Sequence, residues 1–155
     1  MPELAPNPQQ ESLGFWIFRL NRAMFTEFSA RLATLGVTGA EWTILSQLHR
    51  GLLTPVDLAN YMRIDRAAVT RFVHGLEQKG LVSRRPHATD RRSTVLALTA
   101  KGKRLMPKLL EMANETNQSF LALLTEEQGR TLVKLLAELG ARLPDRTFTI
   151  TDCKR

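Results

Sequence analysis

The segment that most constrains the fold of this chain spans residues 64–99. Its first half predicts a helix that Asp65 caps and that Gly80 closes, because glycine readily adopts the left-handed conformation just past a helix end. Four apolar residues recur at i, i+3, i+4 and i+7 and predict a buried face: Val69, Phe72, Val73 and Leu76. The side chains left to point outward are Arg66, Ala67, Thr70, Arg71 and His74.

A shorter helix precedes this one. Residues 54–57 read Thr-Pro-Val-Asp, which places a capping hydroxyl before a proline at the first helical position, and the helix is expected to end near Met62. A turn of about three residues separates the two helices. Two short helices joined by a tight turn predict a helix-turn-helix, whose second helix lies in the major groove of DNA.

The second half of the segment predicts a two-stranded ribbon. Residues 81–85 and 93–98 are the expected strands, with Leu96 and Leu98 on one face. The residues between them are too polar and basic for a core, and they end in Asp90, Arg91 and Arg92. A guanidinium fits the narrow, negative minor groove of DNA, and a neighbouring carboxylate can hold it extended. Arg84 and Arg85 are expected to contact nearby phosphates.

Positive charge is concentrated in the same region. Residues 63–104 contain eleven Lys and Arg against three acids, a net of 11 − 3 = +8, whereas the whole chain carries +7. All residues outside this range therefore carry a net charge of −1. A local positive patch on a balanced protein is typical of a phosphate-binding surface. The alternative interpretation is an ordinary solvated face.

Helices flank this segment on both sides. Apolar periodicity predicts one long helix ending near Gly36, which Pro8 could begin, and a capping box at residues 38–41 opens another that ends at Gly51. Thr99 is expected to cap a further helix, and a second capping box at residues 125–128 opens the last one. Beyond Pro144 we expect a poorly ordered tail.

The flanking helices carry more apolar surface than a small lobe could cover. The side chains expected to need a partner surface are Phe15, Trp16, Phe18, Leu121, Leu124, Leu136 and Leu139. Obligate dimer interfaces are similarly apolar. The alternative is that these side chains fill the core of one protomer.

Length and composition indicate a single domain of 155 residues. No apolar run approaches the ~18 residues of a membrane span, and the N-terminus lacks the features of a secretory signal, which predicts a cytoplasmic protein. The single cysteine, Cys153, cannot form an internal disulfide and is read as an incidental thiol. His49, His74 and His87 show no metal-ligand spacing, and nucleotide-binding and nucleophile motifs are absent. We therefore expect no metal, no cofactor and no enzymatic activity.

The order of these elements resembles the MarR family of bacterial transcription regulators, particularly its SlyA-like members. The likeness rests on residues 58–59, on Asp65 through a helix end reading Leu-Glu-Gln-Lys-Gly-Leu-Val at 76–82, on Asp-Arg-Arg at 90–92 and on Leu-Thr-Ala-Lys-Gly at 98–102. It covers roughly residues 11–142. The pairing of that helix end with the Asp-Arg-Arg tip is more specific than either motif alone.

The resemblance implies a mainly α fold with a small β wing, a winged helix-turn-helix whose flanking helices form a dimerisation region. Residues 11–36 and 100–142 would be the dimerisation helices, residues 38–98 the DNA-binding lobe and residues 143–155 a tail, all within one domain spanning residues 1–155. Arg71 occupies the position of the family's recognition arginine, and Arg91 that of its minor-groove arginine. The DNA-contacting set is then Arg66, Ala67, Thr70, Arg71, His74, Arg84, Arg85, Asp90, Arg91 and Arg92.

The resemblance also implies control by a small phenolic compound or aromatic acid. Arg19, Arg22 and Trp42 lie where such a pocket would be, and an arginine beside aromatic walls suits a carboxylate. The alternatives are that Trp42 belongs to the core and that Arg22 forms an ion pair. The family's oxidation sensors use a cysteine near the first helix, and this chain has none there.

Together these features predict a sequence-specific transcriptional regulator, a repressor or an activator, that binds a pseudo-palindromic operator as a homodimer. The half-sites would lie about one helical turn, ~10 bp, apart. An architectural protein that coats or bends DNA with little sequence choice is the alternative function. A protein adaptor that binds no DNA is disfavoured by the concentrated charge of +8.

Overall fold

The computed structural model describes residues 12–51, 54–86 and 94–142 of the chain. Within these ranges the elements are α1 (Leu13–Ala33), α2 (Gly39–His49), α3 (Pro55–Met62), α4 (Arg66–Gln78), β1 (Val82–Pro86), β2 (Thr94–Leu98), α5 (Ala100–Leu121) and α6 (Glu126–Arg142). The two strands form one antiparallel sheet. This is a mainly α winged helix-turn-helix with flanking helices, which confirms the predicted fold class.

Helix capping fixes most element boundaries where the sequence predicts them. The Thr38 hydroxyl accepts from the backbone N–H of Glu41, and the Glu41 carboxylate accepts from the backbone N–H of Thr38, which is the predicted capping box. Thr54 caps α3, with proline at its first turn, and Thr99 caps α5. Asp65 accepts from the backbone N–H of Ala68 at 2.7 Å and so begins α4.

The starts of the first helix and of the first strand differ from the prediction. α1 begins at Leu13 behind a Ser12 cap, and the suggested start at Pro8 lies outside the described residues. β1 begins at Val82 and not at Leu81, because the backbone N–H of Leu81 bonds back to the Leu76 carbonyl at 2.9 Å. Leu81 therefore closes α4, and Gly80, at φ +68°, makes the left-handed turn that this closure requires.

The core lies where the C-terminal end of α1, α2, α3, α4, the sheet and the first half of α5 meet. Val69, Val73 and Leu76 are buried as predicted, Phe72 is half-buried, and Ala68 joins this face. The largest fully buried side chains are Leu32, Ile44, Leu45, Leu58, Leu76, Leu96, Met106 and Leu109. This core anchors the inner side of α4 and leaves its outer side in solvent.

Much of the apolar surface of the flanking helices stays exposed in the protomer. Large apolar side chains in solvent include Leu13, Trp16, Ile17, Phe18, Leu20 and Phe25 on α1, and Leu132, Val133, Leu135, Leu136 and Leu139 on α6. Leu124 is exposed as well, whereas Phe15 and Leu121 are half-buried. The core of the protomer therefore does not take up most of the side chains that were expected to need a partner.

Candidate nucleic-acid interface

The outer face of α4 carries the side chains that the sequence assigns to the major groove. Arg66, Ala67, Thr70, Arg71 and His74 are all exposed, and the opposite side of the same helix is buried. Because the buried side is anchored in the core, the exposed stripe is presented in a fixed direction. Arg66 and Ala67 lie at the N-terminal end of α4, where the helix dipole favours negative charge such as a phosphate.

Two of these side chains already hold intrahelical hydrogen bonds. The Thr70 hydroxyl donates to the Arg66 carbonyl at 2.8 Å, so its remaining capacity is to accept. His74 Nε2 lies 3.0 Å from the Gln78 amide nitrogen. An amide that donates to Nε2 leaves the proton of the neutral ring on Nδ1. No residue that the structure describes bonds to the side chain of Arg71.

The wing directs its two adjacent arginines to opposite faces. Arg84 stands opposite Leu96 and Arg85 opposite Val95 in the antiparallel register, and successive strand residues alternate between faces. Arg84 Nε donates to the Glu77 carboxylate of α4 at 3.1 Å. Sequence reasoning assigned both arginines to phosphates and missed this ion pair. Asp90, Arg91 and Arg92, like His87, lie outside the described residues, so their predicted role stays a prediction.

The C-terminal end of α4 is bonded to the start of α2. Lys79 Nζ donates to both carboxylate oxygens of Glu41, at 2.6 and 2.7 Å, and to the Gly36 carbonyl at 2.7 Å. Burial by itself raises the pKa of Glu41, but the hydrogen bond and charge of Lys79 and the Thr38 N–H outweigh it and lower the pKa below its usual value. The capping box identified Glu41 in the sequence, but no signal pointed to a partner 38 residues away.

The same helix end is also held from α5. The Thr99 hydroxyl donates to the Gly80 carbonyl at 2.6 Å, and Lys101 Nζ donates to the Lys79 carbonyl at 2.8 Å. At Gly102 the backbone of α5 lies so close to α4 that an added Cβ would stand 2.2 Å from the Leu81 carbonyl oxygen. Contacts from α2 and α5 therefore set the position of the recognition helix.

The three residues predicted to bind a small effector have different surroundings in the protomer. Trp42 packs edge to face on Phe28, with 5.5 Å between ring centroids, and borders the core. Arg19 lies over the ring of Trp16 at 5.5 Å, and Arg22 is exposed. Among the residues that the structure describes, no group of three or more His, Cys, Asp or Glu side chains could hold a metal ion. Within the same ranges, no helix is long and apolar enough to cross a membrane.

An outward-facing basic recognition helix beside a two-stranded wing defines a winged-helix DNA-binding protein. A family model described as MarR family matches residues 35–93, which cover the helix-turn-helix and the first part of the wing. The chain belongs to the MarR family and is a DNA-binding transcriptional regulator. The match does not resolve the SlyA-like subgroup.

Solved structures of this family share the fold. The reduced form of MarR from E. coli is 28% identical, with a TM-score of 0.77 over 86% of this chain and 97% of that one. The transcriptional repressor CouR, bound to a 23-mer DNA duplex, is 26% identical, with a TM-score of 0.78 over 89% and 99%. A MarR family protein of Mycobacterium tuberculosis in complex with p-aminosalicylic acid is 28% identical, with a TM-score of 0.71 over 83% and 98%.

Proposed function

We propose that two copies of this chain form a homodimer that binds a pseudo-palindromic operator, with one α4 in each of two successive major grooves. The observation that carries this proposal is the outer face of α4, where every side chain assigned to DNA is exposed above a buried opposite face. The CouR structure supports it, since a relative with the same fold is bound to duplex DNA. In this proposal residues 38–98 are the DNA-binding lobe, and residues 11–36 and 100–142 are the dimerisation region.

Each side chain of α4 has a distinct proposed role. Arg71 donates to guanine O6 and N7, the commonest specific contact in the major groove. Thr70 accepts from a base amino group, because its own proton is held by the Arg66 carbonyl. Arg66 and Ala67 lie against the groove edge or its phosphates, where a small residue permits close approach, and His74 contacts the backbone. Arg91, oriented by Asp90, enters the minor groove, and Arg92, Arg84 and Arg85 contact phosphates.

The first test asks whether Arg71 recognises DNA bases or only contributes positive charge to the protein. Operator fragments are first selected from random duplexes with the wild-type protein. Arg71→Ala is then expected to lose about 1 to 3 kcal/mol of operator binding and to relax base preference. Arg142→Ala, which removes the same charge from the exposed end of α6, is the matched control and is expected to bind as wild type does. Equal operator affinity for Arg71→Ala and wild type at fixed salt would refute the assignment.

The same titrations separate a specific regulator from an architectural DNA coat. A regulator is expected to prefer its operator over random duplex by ~10³ or more. Log affinity should also fall linearly with log salt concentration, because phosphate contacts release counterions. If the affinities for operator and for random duplex are nearly equal, the result would instead favour the architectural alternative.

We further propose that an aromatic acid releases the protein from DNA. The support is the relative crystallised with p-aminosalicylic acid and the Arg19, Arg22 and Trp42 set on α1 and α2. In the protomer Trp42 borders the core and Arg22 is exposed, so the proposed pocket would be completed by the second copy. Calorimetric titration with salicylate, together with a DNA-release assay, tests this proposal. The absence of both binding heat and DNA release would refute it.

A further inference from the structure

The turn between α3 and α4 contains a residue in the left-handed backbone conformation. Arg63, which directly follows α3, has φ +50° and ψ +47°. The backbone N–H groups of Arg63 and Ile64 both bond back to the Ala59 carbonyl of α3, and Asp65 caps α4. Because bonds to both helices hold this turn, residue 63 is kept at a positive φ whichever side chain it carries.

An arginine is an uncommon residue in this conformation. A Cβ at positive φ crowds the backbone, so glycine is favoured just after a helix end. The left-handed residues that follow α1, α2 and α4 are all glycines, namely Gly36, Gly51 and Gly80. Among the described residues, Arg63 is the one non-glycine residue with a positive φ. The chain therefore carries a strained arginine at the helix end that leads into the recognition helix.

The half-buried Arg63 side chain forms no hydrogen bond or ion pair with any residue in ranges 12–51, 54–86 and 94–142. The carboxylate nearest to it in the sequence, Asp65, accepts from the backbone N–H of Ala68. Strained residues that the surrounding structure holds in place cluster at functional sites. A guanidinium is well suited to an anionic ligand, phosphate above all. These observations point to an anion outside the protomer as the partner of Arg63.

The position of Arg63 beside α4 identifies DNA as that anion. Arg63 precedes Arg66, the first residue of α4, by three positions, so their Cα atoms are at most about 11 Å apart. Arg66 is exposed on the face assigned to DNA. Residues 63–71 contain three arginines against one acid, Asp65, a local excess of positive charge that a polyanion would neutralise. Because Arg63 lies before the helix that enters the groove, its reach is to the backbone at the groove edge.

We propose that Arg63 binds a backbone phosphate beside the major groove that α4 enters, although glycine at this position would make the fold more stable. The proposal rests on the DNA interface proposed above and adds a residue outside the set predicted from the sequence. Phosphate contacts carry no direct sequence information, so Arg63 adds equally to the affinity for operator and for random duplex. Stability and DNA binding therefore place opposite demands on this one residue.

The test measures thermal unfolding and DNA titration of three variants of the full chain. Arg63→Gly relieves the strained backbone, so we expect its melting temperature to rise by about 2 to 4 °C. Its affinity for operator and for random duplex should fall by the same factor, about three- to tenfold, and the salt slope should decrease by about one per copy. Arg63→Gln keeps the strained backbone without the charge, and should lose the same affinity with little change in melting temperature.

Two further variants isolate the charge. Arg63→Lys keeps a cation that can bind phosphate and should bind both duplexes within about twofold of wild type. Arg142→Gln removes one positive charge from the exposed end of α6 and should leave DNA affinity unchanged. Equal losses in Arg63→Gln and Arg142→Gln would show that net charge alone is responsible and would overturn the proposed contact.

Unchanged affinity of Arg63→Gly for both duplexes would show that Arg63 does not contact DNA. A lower melting temperature of Arg63→Gly would show that the arginine stabilises the fold, which contradicts the proposed conflict. A loss of affinity that Arg63→Gln does not share would assign the effect to backbone flexibility, and a loss confined to the operator would replace the phosphate contact with a base contact. Wild type and Arg71→Ala are titrated in the same series. A wild type without operator preference refutes the proposed DNA interface, which is distinguishable from a failure at Arg63 alone.

Discussion

Lys79 at the end of α4 and Glu41 in the first turn of α2 form a two-pronged ion pair, in which one ammonium contacts both oxygens of a carboxylate that is only 5% exposed. The same carboxylate caps α2 through the Thr38 N–H. The start of one helix and the end of the recognition helix therefore share a single buried group. Any shift of α4 relative to α2 must break or stretch these bonds.

Removal of the Lys79 ammonium should destabilise the folded protein. Lys79→Met leaves Glu41 buried without its cation, and we expect the free energy of unfolding to fall by about 1 to 3 kcal/mol, less than for a fully buried pair because Lys79 is partly exposed. Lys108→Met removes an exposed lysine of α5 and serves as the control, with little expected change. Urea unfolding measures both variants. Equal stability of the two variants would show that the ion pair contributes nothing.

The Lys79–Glu41 ion pair should also make the stability of the protein fall at acidic pH. The pKa of Glu41 is lower in the folded protein than its usual value of 4.5, so the stabilisation is present above that value and is lost as the pH falls through the folded pKa. Glu41→Gln keeps a carbonyl oxygen for the Thr38 N–H but cannot ionise. Wild type should therefore exceed this variant in urea midpoint at pH 7, and the gap should narrow below about pH 4.5. A gap that stays constant down to pH 3 would contradict the assignment.

The backbone of Gly102 lies so close to the Leu81 carbonyl that no larger residue should fit at this position. Alanine there would place Cβ 2.2 Å from the Leu81 carbonyl oxygen, a backbone atom that cannot move without disturbing the end of α4. We expect Gly102→Ala to lower the free energy of unfolding by at least about 2 kcal/mol. Gly140→Ala is the matched control, because nothing lies within 4 Å of its added Cβ and helix propensity predicts a gain of up to ~1 kcal/mol. Thermal unfolding compares them, and similar melting temperatures would contradict the close contact.

Release of Arg84 should strengthen DNA binding without changing its specificity. Glu77→Gln removes the carboxylate that Arg84 Nε contacts and also removes a negative charge beside the recognition helix. We expect affinity for operator and random duplex to rise by similar factors, about two- to fivefold, with a steeper salt dependence. Glu111→Gln, on the exposed surface of α5, controls for net charge. A gain restricted to the operator, or an equal gain in the control, would contradict this role.

The exposed leucines of α6 predict how the homodimer can be broken. Leu136 is 46% exposed in the protomer, so a charge there costs little within one chain but much in an apolar interface. We expect Leu136→Glu to behave as a folded monomer in size-exclusion chromatography with light scattering, and Ala141→Glu, on the polar side of the same helix, to remain dimeric. A monomeric wild type would refute the dimer, and a dimeric Leu136→Glu would place its interface elsewhere.

Local chemistry made most of the fold predictable. The caps at Thr38, Asp65 and Thr99 act over three residues, and the buried stripe of α4 repeats within two helical turns. These interactions depend on neighbours along the chain, so spacing alone reveals them. The outward face of α4 followed by elimination, and its side chains are exposed as expected. Their individual contacts with DNA remain predictions.

Relationships between distant segments could not be predicted in this way. Nothing in the sequence around Lys79 shows that its partner is Glu41, because that pair exists only once α2 and α4 pack together. Packing likewise places Glu77 beside Arg84, whereas Arg85 lies on the other face of β1, which gives two adjacent arginines different surroundings. The sequence by itself determined which helices form, where they begin and which face of α4 is polar, since these properties arise within a few residues. Only the tertiary structure decided which charges are already paired and which remain available to a ligand, because electrostatic pairing depends on distances that chain packing sets.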